Sequence, residues 1–213
     1  MTTTTTSVVI SGVGGQGTVL ASKVLAEVAL RAGHDVKQSE VHGMSQRGGN
    51  VVSMVRYGPS VASPLITPGE ADVLLAFEEM EGLRYITWLR PGGRAFINMQ
   101  RINPSTVGAG LAKYPAGIDA KILKACPGAR LIDAVGIASA LGNVRATNVV
   151  LLGALSVSLA FPLEAWDAAL RGNVPKKALD LNLEAFRRGR EVAMAPFAGI
   201  PPNSLLENAE GAE

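Results

Sequence analysis

The order of the first three segments constrains the fold of this chain more than any other feature. Residues 7–11 form a short apolar run, which predicts a buried strand. The glycine-rich segment Gly12-Val13-Gly14-Gly15-Gln16-Gly17 predicts a loop, and apolar residues then recur at helical spacing over residues 18–32. A strand, a glycine loop and a helix in immediate succession are typical of an α/β domain built on a partly parallel sheet.

The same alternation continues to residue 132, after which the pattern is helical. Further strands are predicted at 35–39, 50–57, 71–77, 94–99 and 129–132. Helices are predicted at 78–89, 118–125, 133–141, 147–161, 163–171 and 175–193. The loop of about ten residues before the third strand is shorter than a parallel crossover needs. We therefore expect an α/β fold with a mostly parallel or mixed sheet and a helical C-terminal part.

The pattern predicts a single folded domain, because no linker or internal repeat interrupts it. We expect this domain to cover residues 7–194. The threonine-rich residues 1–6 are expected to be a disordered start, and residues 195–213, which contain three prolines, an irregular tail. No targeting segment stands out, and the longest apolar stretch, residues 148–161, is shorter than the roughly 20 residues of a membrane span. A cytoplasmic protein that does not enter a membrane is expected.

Charge and cysteine content exclude several classes of function. The 213 residues include 20 Lys and Arg and 18 Asp and Glu, and the basic residues are not concentrated in one block of the sequence. This charge distribution argues against nucleic-acid binding. Cys126 is the only cysteine, so the chain has neither a disulfide framework nor the four thiolates that an iron–sulfur cluster requires. No metal site is predicted, and Cys126 itself is expected to be an inert structural thiol because no basic neighbour lowers its pKa.

The glycine loop has three interpretations. Gly12, Gly14 and Gly17 satisfy the G-x-G-x-x-G pattern between a strand and a helix, which is the position that a dinucleotide fingerprint requires. Glu40, at the end of the second predicted strand, then offers the acid that would bind a ribose, with Asp35 the other choice. The loop is equally compatible with another anion at the helix N-terminus, or with a tight turn that binds nothing. The pattern by itself leaves these three open.

A second polar segment lies between the second and third predicted strands. Glu40-Val41-His42-Gly43-Met44-Ser45-Gln46-Arg47-Gly48-Gly49 brings an acid, an imidazole, a hydroxyl, an amide and a guanidinium together. Arg47, followed by two glycines, suits a carboxylate or a phosphate. His42 has no evident nucleophile partner, which makes a general base less favoured than a hydrogen-bonding role. A ligand-binding loop and a subunit-contact loop are equally good hypotheses.

Together, the glycine loop and the Val-His-Gly-Met-Ser-Gln-Arg-Gly-Gly segment resemble the gamma-type domain of the 2-oxoacid:ferredoxin oxidoreductase family. The resemblance continues through Ser63-Pro64-Leu65-Ile66, residues 69–78, residues 148–154 and the Ala185-Phe186 pair, so it covers nearly the whole chain. The residues just before Arg47 are similar to those of the branch that acts on aryl pyruvates such as indolepyruvate.

This resemblance implies a three-layer α/β/α sandwich and a division of labour between subunits. It implies that a large alpha subunit holds the thiamine diphosphate and the iron–sulfur clusters, and that the chain alone is inactive and binds no cofactor. The complex would decarboxylate an aryl 2-oxoacid, deliver the acyl group to coenzyme A and pass electrons to ferredoxin. The sequence leaves open a homodimer, an independent NAD(P)- or FAD-binding enzyme and a purely structural scaffold subunit.

The resemblance assigns two loops to the substrate side or to the subunit interface, without identifying a catalytic residue. The first loop would bind an anionic group or contact the partner, and the second would line the shared active-site region. The residues of the first loop are Gly12, Gly14, Gly15, Gln16, Gly17 and Thr18. Those of the second are Glu40, His42, Ser45, Gln46, Arg47, Gly48 and Gly49.

Overall fold

Six strands and eight helices organise the chain in the computed structural model, which describes residues 4–43 and 49–195. The strands are β1 (Thr6–Val13), β2 (Asp35–His42), β3 (Asn50–Gly58), β4 (Ala71–Ala76), β5 (Leu89–Asn98) and β6 (Arg130–Ile132). The helices are α1 (Thr18–Arg31), α2 (Glu79–Tyr85), α3 (Ser105–Gly108), α4 (Ile118–Ala125), α5 (Ala134–Ala140), α6 (Thr147–Ser156), α7 (Leu163–Asn173) and α8 (Leu179–Met194). Short 3-10 turns at Ile86–Trp88, Val144–Ala146 and Lys176–Ala178 adjoin α2, α6 and α8.

The strands form one mixed sheet in the order β2-β3-β1-β4-β5-β6. β1, β4, β5 and β6 are parallel neighbours, whereas β3 is antiparallel to both β1 and β2. The short connection between β2 and β3 explains the antiparallel pairing, because it is too short for a crossover helix. The predicted mixed sheet is therefore confirmed.

Helices cover both faces of the sheet and complete a three-layer α/β/α sandwich. Alternate residues of β1 and β4 point to opposite faces, as in any strand. Val8 and Leu75 face the core formed with α1, α5, α6, α7 and α8. Val9 and Leu74 face the second core, formed with α2 and α4. The predicted fold class is confirmed.

Helix α6 lies in the centre of the larger core. Asn148 and every residue from there to Ser156 are buried, which confirms that this apolar stretch is an internal helix. It ends at Ser156, five residues before the predicted end at Phe161. The Ser156 and Ser158 hydroxyls donate to the carbonyls of Gly153 and Leu155, at 2.6 and 2.8 Å, and these bonds compete with the continuation of the helix.

The ends of three strands differ from the predictions. β1 begins at Thr6, the last residue of the segment expected to be a disordered start. β2 continues to His42, so Glu40 and His42 belong to a strand and not to the predicted loop. β5 begins at Leu89 and contains Pro91-Gly92-Gly93, which was predicted to be a turn. In the pairing of β4 with β5, Ala71 lies opposite Leu89, and Val73 lies opposite Arg94. The register shift between these two pairs accommodates the three residues as a bulge in β5.

The polar composition of β2 follows from its position at the edge of the sheet. Lys37 and Gln38 are exposed, and only β3 pairs with this strand. Asp35 accepts a hydrogen bond from the Val61 backbone at 2.8 Å, and Gln38 donates to Ser22 of α1 at 2.8 Å. An edge strand needs such polar groups, because an exposed apolar edge would pair with other chains.

Candidate functional site

The glycine loop connects β1 to α1 at the carboxyl edge of the sheet. Gly15 and Gly17 have φ angles of 100° and 88°, a left-handed conformation that residues with a side chain rarely adopt. Gly17 is the N-cap of α1 and supplies no side-chain acceptor for the first helical turn. The first backbone N–H groups of the helix therefore lack a cap from their own loop, and the positive end of the helix dipole lies at this edge.

The Gln16 side chain holds the glycine loop in place. Its Oε1 accepts a hydrogen bond from the Val13 backbone at 2.7 Å. Its Nε2 donates to the carbonyl oxygen of Phe77, which follows β4, and to Oε1 of Gln100, which follows β5, both at 2.9 Å. One amide thereby links the ends of three neighbouring strands, a role that the sequence pattern did not predict.

Two of the pattern glycines are required by packing inside the protein. A Cβ on Gly12 would lie 2.9 Å from Gln16 Oε1 and 2.9 Å from Phe77 Cβ. A Cβ on Gly17 would lie 2.7 Å from Nδ2 of Asn148, the residue near the start of α6. Internal contacts are therefore sufficient to explain why glycine occupies both positions.

The second polar segment joins the glycine loop at the same edge. The Gly14 backbone N–H donates to the Gly49 carbonyl oxygen at 2.9 Å, and that of Gly43 donates to the Asn50 carbonyl oxygen at 2.9 Å. The two predicted loops are thus in direct contact. Ser45, Gln46, Arg47 and Gly48 lie outside the described residues, as does the side chain of His42.

The position of Glu40 does not match a dinucleotide fingerprint. In that fingerprint the acid ends the strand next to β1, whereas here β3 lies between β1 and β2. Glu40 is level with Ser53, which is level with Ile10, so it stands two strand spacings, about 10 Å, from β1. The expectation that Glu40 would serve the glycine loop as a ribose-binding acid is not supported by this topology.

A cleft opens between the glycine loop and the start of α6. It has a volume of about 290 Å³, and its lining includes Gly15, Gln16, Gly17, Gln100, Arg145 and Asn148. Asn148 is 8% exposed, and its Oδ1 is buried without a hydrogen-bond partner in the part of the chain that the structure describes. The exposed Arg145 side chain adds a positive charge. The cleft therefore combines a guanidinium, a helix N-terminus and an unused amide oxygen.

A group of buried glutamates, which the sequence patterns above did not predict, lies beside these loops. Glu78 is fully buried; it caps α2 by accepting from the Glu81 backbone at 2.9 Å, and it also accepts from the Tyr114 hydroxyl at 2.5 Å. Glu79 pairs with Arg101 at 2.5 Å. The sequence contains a pattern that could have indicated this group, because three glutamates within four residues follow the apolar strand β4.

Glu81 connects this group to the second polar segment. It accepts a hydrogen bond from Asn50 Nδ2 at 2.6 Å, and Arg84 pairs with its other oxygen at 3.2 Å. Burial raises the pKa of the Glu81 carboxyl, and the nearby Arg84 only partly offsets this effect. Asn50 is the residue after Gly49, so Glu81 fixes the point at which the chain leaves the second loop.

No cluster of three or more His, Cys, Asp or Glu residues suited to a metal ion occurs within residues 4–43 and 49–195. Among the helices of these same residues, none is both long enough and apolar enough to cross a bilayer.

Comparisons with known proteins agree over nearly the whole chain. The family model described as pyruvate ferredoxin/flavodoxin oxidoreductase matches residues 7–192. Two curated relatives named indolepyruvate oxidoreductase subunit IorB, from Thermococcus kodakarensis and Pyrococcus horikoshii, are each 45% identical over 88% of this chain and 95% of their own. The crystal structure of a keto/oxoacid ferredoxin oxidoreductase gamma subunit from Geobacter sulfurreducens has a TM-score of 0.67 and 27% identity, and covers 90% of this chain and 99% of that one.

Proposed function

Since this chain belongs to the pyruvate ferredoxin/flavodoxin oxidoreductase family, we propose that it is the small subunit of an indolepyruvate-type 2-oxoacid:ferredoxin oxidoreductase. In the reaction the bond between the carboxylate and the keto carbon breaks and CO₂ leaves. The acyl carbon then bonds to the thiol sulfur of coenzyme A, and two electrons pass to ferredoxin. The observation that carries this proposal is the 45% identity to subunits of indolepyruvate oxidoreductases over most of the chain.

An iron–sulfur cluster does not fit the residues of this chain. An iron–sulfur cluster takes four protein ligands, usually cysteines, and Cys126 is the only cysteine available. We assign the clusters and the thiamine diphosphate to a large alpha subunit, which would also pass the electrons to ferredoxin. A cytoplasmic location of the complex is part of the same proposal.

The cleft beside the glycine loop is our candidate for the contribution of this chain to coenzyme A binding. Coenzyme A carries phosphates, which suit the Arg145 guanidinium and the free N–H groups at the start of α1. It also carries amide N–H and hydroxyl groups, which could donate to the unused Asn148 Oδ1. We propose that Gly15, Gln16 and Gly17 form the wall against which the anionic part of the molecule lies.

The second loop is proposed to reach the active site that the two subunits share. Gly49, at one end of this segment, accepts from Gly14 of the glycine loop, and Gly43, at the other end, donates to Asn50. These contacts support our proposal that His42, Ser45, Gln46 and Arg47 act near the cleft. Arg47 is the group in this segment best suited to an anionic substrate.

Reconstitution tests the proposed function. We expect the purified chain alone not to reduce a viologen dye, and the mixture with the large subunit, indolepyruvate and coenzyme A to reduce it. Full activity of the chain alone would contradict the proposal. A scaffold role is the second candidate, because internal packing already explains Gly12 and Gly17. Arg47→Ala separates the two: an intact complex with impaired coenzyme A use supports a site, and unchanged kinetics supports a scaffold.

A further inference from the structure

A groove lies at the amino ends of β5 and β6, on the edge of the sheet opposite to the cleft. It has a volume of about 720 Å³. Backbone from Pro91-Gly92-Gly93 forms part of its wall, and the side chains of Leu89, Val157 and Ala193 give it an apolar lining. None of the functional roles proposed above involves this groove.

Arg94 gives the groove a positive charge that no carboxylate in the described part of the chain neutralises. Arg90, Arg94 and Arg130 all line it. Arg90 pairs with Asp72 of β4 at 2.6 Å, which neutralises part of the charge. Arg94 is exposed and forms neither a hydrogen bond nor an ion pair within the described part of the chain. An occupant of this groove should therefore combine apolar side chains with carboxylates.

We propose that residues 196–213 of the same chain dock in this groove. The segment contains Phe197, Ile200, Leu205 and Leu206, followed by Glu207, Glu210 and Glu213, and it has no Lys, Arg or His. It follows α8 directly, and Ala193 in the last turn of that helix already lines the groove. Attachment so close to the groove gives the segment a high effective concentration, so a weak contact is enough to keep it bound.

A second groove near the end of α8 is less suitable for this segment. It lies between α7 and α8 and has a volume of about 320 Å³, with Leu163, Leu183 and Met194 in its lining. Its arginines are already engaged: Arg187 pairs with Glu184 and Glu191, and Arg190 donates to Ser156 at 2.6 Å. Its lining also contains two carboxylates, those of Asp167 and Glu191, which balance the two arginines. This groove therefore has no net positive charge to attract the three glutamates, and charge favours the groove that contains Arg94.

Cys126 provides a specific probe of occupancy, because it is the only thiol of the chain and it lines the groove. We would measure its alkylation by iodoacetamide, a neutral reagent, in the full-length chain at a fixed alkaline pH. Glu207→Lys combined with Glu210→Lys should release the segment and accelerate alkylation about tenfold, the change that a loss of about 1.4 kcal/mol produces.

Arg94→Glu should accelerate the reaction in the same way. By its own charge this substitution raises the pKa of the thiol and slows alkylation, so acceleration requires release of the segment. Combining it with the two lysine substitutions should restore slow alkylation, because opposite charges face each other again. Lys23→Glu, on the exposed side of α1, is the matched control and should change nothing.

Equal alkylation rates in all variants would overturn the proposal. Faster alkylation in the Glu207→Lys, Glu210→Lys variant but not in Arg94→Glu would also overturn it. That result would place the segment elsewhere, for example between α7 and α8. Protection of Cys126 only after the large subunit is added would identify the groove as a subunit contact. Circular dichroism of each variant verifies that the fold is intact.

Discussion

Where α6 and α8 cross, Gly153 of α6 lies against the backbone of α8, and Gly189 of α8 lies against the backbone of α6. A Cβ on Gly153 would lie 2.9 Å from the carbonyl carbon of Phe186, and one on Gly189 would lie 2.8 Å from that of Val150. Both helices sit in the larger core, so a side chain at either position would have to push them apart. This contact fixes the spacing of the helical layer to which Asn148 belongs.

Gly189→Ala should therefore destabilise the protein, although alanine favours a helix over glycine. We expect a loss of about 1–3 kcal/mol, the usual effect of overpacking a core. Denaturant unfolding of the purified chain measures it. Gly108→Ala is the matched control, because its Cβ would meet nothing within 4 Å. Equal stability of the two variants would show that the helices can separate without cost.

Gln16→Ala should loosen the glycine loop. It removes the acceptor of the Val13 N–H and leaves that backbone group without a partner, which typically costs about 1–3 kcal/mol. The Phe77 carbonyl keeps its hydrogen bond from Asn98, so the loss is concentrated at Val13. Unfolding free energies measure the effect. Lys23→Ala, at an exposed position of α1, is the control, and a loss no larger than that of the control would contradict the bridging role.

The class of the fold could be predicted from sequence, because it follows from local patterns. Alternating strands and helices indicate the layers, and the short connection after β2 indicates antiparallel pairing. The insertion of β3 between β1 and β2 could not be predicted in this way. It depends on pairing between strands that are distant in sequence. Because β3 separates β2 from β1, Glu40 does not occupy the position of a ribose-binding acid.

The cleft could not be predicted from the sequence either. Asn148 was part of an apolar stretch, and nothing local indicated that its amide would lie against Gly17. The bridging role of Gln16 was missed for a similar reason, since its partners follow β4 and β5, far away in the chain. Helix α4 was predicted with its observed bounds because its apolar residues recur at helical spacing, which is a local signal.

Arg145→Ala should weaken the use of coenzyme A by the assembled enzyme. An exposed guanidinium on an anionic ligand contributes about 1 kcal/mol, so the KM for coenzyme A should rise about fivefold while kcat changes little. Steady-state kinetics with the large subunit present measure both constants. Arg171→Ala, on the outer face of α7, is the control and should leave them unchanged. An unchanged KM in Arg145→Ala would remove this arginine from the site.

Glu81→Gln should change how stability depends on pH. Because burial raises the pKa of Glu81 above 4.5, the folded state binds a proton at higher pH than the unfolded state. Ionised Glu81 therefore lowers stability above its folded pKa, and this penalty disappears as the pH falls toward 4.5. The glutamine variant, which can still accept from Asn50, should gain stability relative to the wild type as the pH rises through this window.

Unfolding free energies at several pH values, compared between the two proteins, measure this difference. Glu164→Gln, at an exposed position of α7, is the control. Its unfolding free energy should not increase relative to that of the wild type as the pH rises through this window. A pH-independent difference for Glu81→Gln would mean that its carboxyl titrates alike in both states.

The contact between Gly17 and Asn148 has a consequence for the order in which the protein is completed. During synthesis, the glycine loop leaves the ribosome long before α6 does, so an N-terminal fragment that already pairs its strands still lacks one side of the cleft. Chains fold progressively as they are made, with N-terminal parts first. The anion binding that we propose at this edge should therefore arise late, only in chains that have been synthesised as far as α6.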